Sequence, residues 1–261
     1  MTALPQATAA DAPQAFRLDG RTIVVTGAGR GLGADIAAAA AMLGARVVLL
    51  SRSQEELQAV ARDIRASGGD ATPVACDVTD PEAVERVLED IERLDVLVNN
   101  AGTNMPAGFL DVTPGQLDAL LLLNVRALFL TAQAAARKMT ACGNGGAIIN
   151  MSSQMGHVGA VRRSVYCMTK HAVEGLTKAM ALELAAHDIR VNTVAPTFVE
   201  TPMTQGFLKD ASFRDWVMQR LPMGRLLPAR DVALAVCYLA SPAAAMITGT
   251  SLKIDGGWTA Q

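Results

Sequence analysis

Thr22-Ile23-Val24-Val25-Thr26-Gly27-Ala28-Gly29-Arg30-Gly31-Leu32-Gly33 runs from a β-branched segment through a glycine turn into an alanine-rich stretch. β-Branched residues favour strands, glycine permits a tight turn, and alanine favours helix. A strand feeding a helix through glycines opens a βαβ unit, and the exposed amides at such a helix start attract a pyrophosphate. Gly27, Gly31 and Gly33 follow a Gly-x-x-x-Gly-x-Gly rhythm instead of the commoner Gly-x-Gly-x-x-Gly. Between a first strand and a first helix, that rhythm still reads as a dinucleotide cradle, made by Gly27, Arg30, Gly31, Leu32 and Gly33.

The same alternation continues along the chain. Short β-branched or Leu-rich runs at 22–26, 46–50, 72–76, 95–99, 147–151, 190–194 and 251–254 read as strands. Pro73 makes the third the weakest, because proline is tolerated only near a strand's start or at a sheet edge. Helical spacing occupies 33–43, 54–67, 81–93, 113–139 and 164–186. Strand and helix in alternation predict an α/β fold: a Rossmann-type, doubly wound parallel sheet of about seven strands with helices on both faces. Ligands of such sheets bind beyond the carboxyl ends of the strands, so the chemistry is sought there.

Length and composition fit one domain. The chain has 261 residues, with 23 Lys+Arg against 25 Asp+Glu. That balance offers no electrostatic support for nucleic acid or an anionic membrane. The apolar runs are short and interrupted, so no membrane span is expected. Residues 1–15, rich in Ala, Pro, Gln and Thr, read as a flexible tail before a catalytic domain at 16–261. Cys76, Cys142, Cys167 and Cys237 lack metal or redox spacing, which fits reduced thiols in a cytoplasmic protein and no metal site.

At the end of the second strand, where an NAD enzyme usually carries a carboxylate for the ribose 2′-hydroxyl, stands Leu49-Leu50-Ser51-Arg52. The fork of Arg52 can pair with a 2′-phosphate, Ser51 can donate to it, and Arg30 adds a second cation. NADP(H) is therefore expected in preference to NAD(H).

Tyr166 and Lys170 are four residues apart in Tyr-Cys-Met-Thr-Lys, and Ser153 lies thirteen residues upstream. On a helix, i and i+4 share a face, and a nearby cation lowers a phenol's pKa from its usual value near 10. Tyr166 is therefore expected to exchange protons near neutral pH, with its pKa lowered by Lys170.

With these motifs in order, residues 16–261 resemble the short-chain dehydrogenase/reductase family. The resemblance rests on Thr26 to Gly33, Asp77-Val78, Asn99-Asn100-Ala101-Gly102, Asn124, Ser153, Tyr166 to Lys170, Pro196 to Met203 and Asp255-Gly256-Gly257. It implies an oxidoreductase in which Tyr166 is the general acid/base and Ser153 donates to the substrate oxygen. Lys170 would also hold the nicotinamide ribose, and Asn124 would hold a relay water. It further implies that Asp77 and Val78 meet the adenine, and that Asn100, Ala101 and Gly102 floor the adenosine ribose. Pro196, Val199 and Thr201 would hold the nicotinamide carboxamide. Thr197 replaces the family's usual glycine, so a strained or reshaped loop is expected there.

The substrate side is less legible. Gln154, His157 and Arg162, with Arg163, lie in a segment that lines the pocket in relatives, and 201–225 resembles a substrate lid. A small carbonyl or secondary alcohol (a sugar, polyol, hydroxy ketone or cyclic alcohol) is expected. The alternative is a 3-oxoacyl-[acyl-carrier-protein] reductase. Against it, Asn144 and His187 stand where carrier-docking basic residues would be. A non-catalytic NADP(H) sensor or scaffold is the remote alternative, disfavoured because Tyr166 and Lys170 persist together. The apolar helices at 113–139 and 164–186 pair across subunits in relatives, so a homotetramer is expected, with a dimer second.

Overall fold

In a computed structural model of the chain, residues 12–201, 204, 206 and 208–261 are described. Their centre is a sheet of seven strands, all parallel: β1 (Thr22–Thr26), β2 (Arg46–Ser51), β3 (Asp70–Ala75), β4 (Val96–Asn99), β5 (Gly146–Met151), β6 (Ile189–Pro196) and β7 (Ser251–Ile254). Their order is β3-β2-β1-β4-β5-β6-β7, so the direction of winding reverses between β1 and β4. That switch point opens the crevice in which open α/β sheets bind ligands. Pro73, paired with Leu49, lies on an edge strand, where its missing N–H costs no inner ladder bond.

Among the described residues the helices include α1 (Ala12–Ala15), α2 (Gly31–Met42), α3 (Gln54–Ala66), α4 (Pro81–Glu89), α5 (Pro114–Leu121), α6 (Leu128–Cys142), α7 (Ser164–Leu184), α8 (Ala211–Gln219) and α9 (Ala229–Ala240). Alternate strand residues face opposite layers. Ile23, Val25, Val47 and Leu49 join α2, α3 and α9 in one core, whereas Val24, Val48, Leu50 and Ile148 join α4 and α6 in the other. Both faces of β1 are buried, as its unbroken apolar run requires.

Between α5 and α6 the chain widens into a π-helix, Leu122–Ala127. The continuous helical stretch Pro114–Cys142 is long and apolar enough to cross a membrane by length and composition alone. Its inner face, including Leu120, Ala132, Ala135 and Met139, is buried in the core, as for a core helix. The outer faces of this stretch and of α7 leave Leu122, Phe129, Met168 and Leu182 exposed.

The tail expected over 1–15 ends in the helix α1, and Phe16 stacks on Tyr238 of α9. Residues 1–11 lie outside the described residues, as do 202, 203, 205 and 207 of the expected lid, including Met203 of the family motif.

Candidate active site

The turn after β1 is shaped by two glycines. Gly27 holds φ +66°, and a Cβ at Gly33 would fall 2.3 Å from the Gly27 carbonyl oxygen and 2.6 Å from Asn100 Nδ2. Only glycine permits this approach. The loop after β4 is tied to the same turn. Asn100 Nδ2 donates to the carbonyls of Thr26 (2.9 Å) and Gly27 (3.3 Å), while Thr26 Oγ1 accepts from the amides of Asn100 and Ala101, each at 3.0 Å. Asn100 and Ala101 thus brace the glycine turn from across the switch point, and Leu32 packs against the core.

Around the second strand's end, Ser51 Oγ and Glu56 Oε2 would lie 2.8 and 3.0 Å from a Cβ at Gly29. Arg30 pairs with Glu56 at 3.1 Å. The Asp77 carboxylate accepts from the Thr79 amide (2.9 Å) and hydroxyl (2.8 Å). Those bonds outweigh its burial and, with Arg52 nearby, hold it below the usual carboxylate range. Val78 is partly buried beside it.

The proposed proton machinery is gathered where β4, β5 and α7 meet. A buried polar ladder registers these elements: Asn99 Nδ2 donates to Asn150 Oδ1 (3.0 Å), and Asn150 Nδ2 donates to Thr177 Oγ1 (2.9 Å). Ser153 follows β5 and accepts from the Met155 amide at 3.2 Å. Tyr166 lies in the first turn of α7, with Lys170 one turn on. Lys170 Nζ donates to the Met151 carbonyl at 2.7 Å and lies 5.7 Å from the centroid of the Tyr166 ring. Asn124 sits in the π segment, a local widening frequently found at functional sites. Its side chain exchanges two 2.9 Å bonds with the Thr103 backbone. A Cβ at Gly102 would lie 3.3 Å from Asn124 Oδ1 and 3.9 Å from Lys170 Nζ, so Gly102 keeps these two groups in one space.

The electrostatics correct one expectation. Burial pushes the Tyr166 phenol up to about 12, against a smaller downward pull from its hydrogen bond with Ser153. Burial also pushes Lys170 down to about 8, with Glu174 opposing that fall. The expected lowering of Tyr166 by Lys170 is therefore absent in the free protein. Desolvation dominates both groups, and the ammonium loses its proton before the phenol does.

His157 is a second correction. Instead of lining the substrate cavity, its Nε2 lies 2.9 Å from Ser251 Oγ on β7 and 3.2 Å from Glu174 Oε1 on α7. Glu174 also accepts from Thr193 at 3.0 Å and Ser251 at 3.1 Å. Glu174, one helical turn beyond Lys170, goes unread in the sequence although its i+4 spacing was visible. Gln154 is buried and its Oε1 has no protein partner, but it does not line the cavity.

That cavity measures about 680 Å³ and is lined by Pro106, Met155, Arg162, Arg163, Phe198 and Trp216 among others. Arg162 holds φ +61°, a left-handed conformation unusual for a side-chain-bearing residue, and its carbonyl accepts from the Ala107 amide. Within the stretch 201–225, Val217 and Leu221 are buried, whereas Phe213 and Trp216 line the cavity. Phe198, Phe213, Trp216 and Trp258 form one aromatic cluster with ring centroids 5.6–5.7 Å apart.

Residues past β6 fit a bound polar group. Thr197 Oγ1 is buried with no protein partner, as a ligand site leaves it. Thr197 also avoids positive φ, so the expected strain from its missing glycine does not arise. Pro196 ends β6. Thr204 ties down the neighbouring turn, donating to the Val199 carbonyl and accepting from the Thr201 amide at 3.0 Å.

Residues 27–259 match the family model described as enoyl-(acyl carrier protein) reductase. The chain is 40% identical over 245 residues to L-xylulose reductase of Bos taurus, covering 94% of this chain and 99% of that protein. It is 38% identical to D-threitol dehydrogenase of Mycolicibacterium smegmatis, covering 94% and 95% respectively. The structure of a gluconate 5-dehydrogenase from Burkholderia cenocepacia in complex with NADP and tartrate superposes with a TM-score of 0.92 at 35% identity, covering 96% of this chain and 99% of that one.

Proposed function

The chain belongs to the short-chain dehydrogenase/reductase family, and from that premise we propose that Tyr166 moves the proton during hydride exchange between NADP(H) and a small sugar or polyol. The reaction class is that of an oxidoreductase acting on alcohol and carbonyl groups. The observation that carries the residue roles is the meeting of Ser153, Tyr166, Lys170 and Asn124, from three separate segments, with Ser153 bonded to Met155, which lines a cavity of ligand size. The relatives named for L-xylulose, D-threitol and gluconate support the substrate class.

A bound nicotinamide supplies or accepts the hydride. In reduction, Tyr166 gives its proton to the carbonyl oxygen while Ser153 donates a hydrogen bond to the same atom, stabilising the charge that grows there. A phenol held at about 12 keeps its proton at neutral pH and is suited to the acid role. Oxidation requires the phenolate, and hence positive charge beyond what Lys170 provides in the free protein. Lys170, anchored on Met151, would hold the nicotinamide ribose. Replacing Tyr166 with Phe should abolish NADPH oxidation over a panel of ketoses and hydroxy ketones while leaving NADPH binding intact. Near-parental turnover in that variant would sink the assignment.

Preference for NADP(H) is supported by Arg30, Ser51 and Arg52 around the second strand's end and by neighbours that hold NADP. A homotetramer is supported by the exposed Leu122, Phe129, Met168 and Leu182 on the two apolar helices. Light scattering that finds a monomer at micromolar concentration would contradict it.

A further inference from the structure

Glu56 is the third residue of α3, and Ser53 is that helix's N-cap, accepting from the Glu56 amide at 3.3 Å. Ser-x-x-Glu is the pattern of a capping box, in which the carboxylate turns back to the N-cap amide. At α5 the equivalent pair does so: Gln116 Oε1 accepts from the Thr113 amide at 3.0 Å. Glu56 does not close that box. Its Oε1 accepts from Arg30 Nη1 at 3.1 Å, and its Oε2 sits with Ser51 Oγ over the Cα of Gly29. A carboxylate that leaves its own helix cap for the glycine turn occupies the space where the second strand ends.

We propose that Glu56 sets the balance between NADP and NAD in this protein. The inference rests on the reading that this loop receives the adenosine ribose. Toward NADP, Glu56 is an opponent. It competes for Arg30, and its charge stays beside the 2′-phosphate even after the phosphate takes Arg30 from it. The competition is mild, because the Glu56 side chain is 38% exposed and the Arg30 side chain 73%. Toward NAD, Glu56 is a partner, since its carboxylate can accept from a free 2′-hydroxyl. It thereby supplies from α3 the acceptor that Ser51-Arg52 lacks. Arg30, Arg52 and Ser51 favour the phosphate and Glu56 opposes it, while Asp77 is close enough to Arg52 to share its charge. The protein should therefore bind both dinucleotides, with NADP ahead by less than its arginines alone would give.

The test measures dissociation constants of NADP⁺ and NAD⁺ by calorimetry for the parent, Glu56→Gln and Glu56→Ala, with thermal melts as a folding control. Both variants should tighten NADP⁺ and weaken NAD⁺, moving the ratio of the two constants by about tenfold. The shift should shrink at high salt, as an exposed charge effect does. A ratio unchanged to within about twofold, or two constants that rise together, would overturn the proposal, the second result marking a merely structural role. If the parent binds NAD⁺ as tightly as NADP⁺ and the ratio still moves in the variants, the NADP preference fails while the role of Glu56 stands.

Discussion

Titrating Tyr166 in the free protein is the sharpest test of the site's electrostatics. The chain has two tyrosines, so a Tyr238→Phe background leaves one phenol to follow by its phenolate absorbance. Its midpoint should fall at about 12, well above the usual 10. Lys170 Nζ lies 5.7 Å from the ring centroid, and a full charge at about that range in an effective dielectric near 20 would be worth about 3 kcal/mol, or about two pKa units. That pull is not felt, because Lys170 titrates at about 8 and is neutral while the phenol ionises. Lys170→Met should therefore leave the Tyr166 midpoint unchanged. Adding NADP⁺, with its cationic nicotinamide, should move the midpoint down, whereas NADPH should not. Rapid pH jumps keep the reading ahead of alkaline unfolding. A midpoint at or below 10 in the free protein, or one raised by about a unit or more in Lys170→Met, would refute this ordering of the two groups.

Two further perturbations probe the scaffold. Gly33→Ala forces a methyl to 2.3 Å from the Gly27 carbonyl and should cost about 1–3 kcal/mol in urea unfolding while weakening NADPH binding; parental affinity would show that the turn is not the cradle. Asp95 is buried and accepts from Arg93, Arg21 and the Thr22 amide. Burial pushes its pKa up but those bonds outweigh it, so the folded value is depressed. Its stabilisation is thus complete above about pH 4 and lost as pH falls through the folded value. Asp95→Asn should cost about 2–4 kcal/mol at neutral pH, since its arginines are partly exposed, and should flatten the acid limb of stability; an unchanged limb would contradict this.

Elements set by local periodicity were legible in the sequence. The expected strands at 22–26 and 251–254 coincide with β1 and β7, and Pro73 marked an edge strand. The π segment was not legible: one extra residue per turn leaves the apolar pattern of 113–139 looking like a continuous helix. Helix α9 went unassigned, although its Ala- and Leu-rich run is visible. At the site, Ser153, Tyr166 and Lys170 could be found because their spacing is local or ordered along the chain. His157 was misplaced because nearness to Ser153 in sequence says nothing about Ser251 and Glu174, which meet it only through the fold. The phenol's high pKa was equally hidden, since burial is a property of the assembled layers and not of Tyr-x-x-x-Lys.

The aromatic cluster at the cavity also makes the protein its own optical probe. Trp216 and Trp258 are the chain's only tryptophans, and their rings are 5.6 Å apart beside the cavity wall. Intrinsic indole emission therefore arises from one small region, with no background from elsewhere in the chain. A substrate that displaces water from the cavity beside Trp216 changes the signal where binding occurs. Ligand screening can thus proceed on the unlabelled protein, without turnover and before the substrate is known.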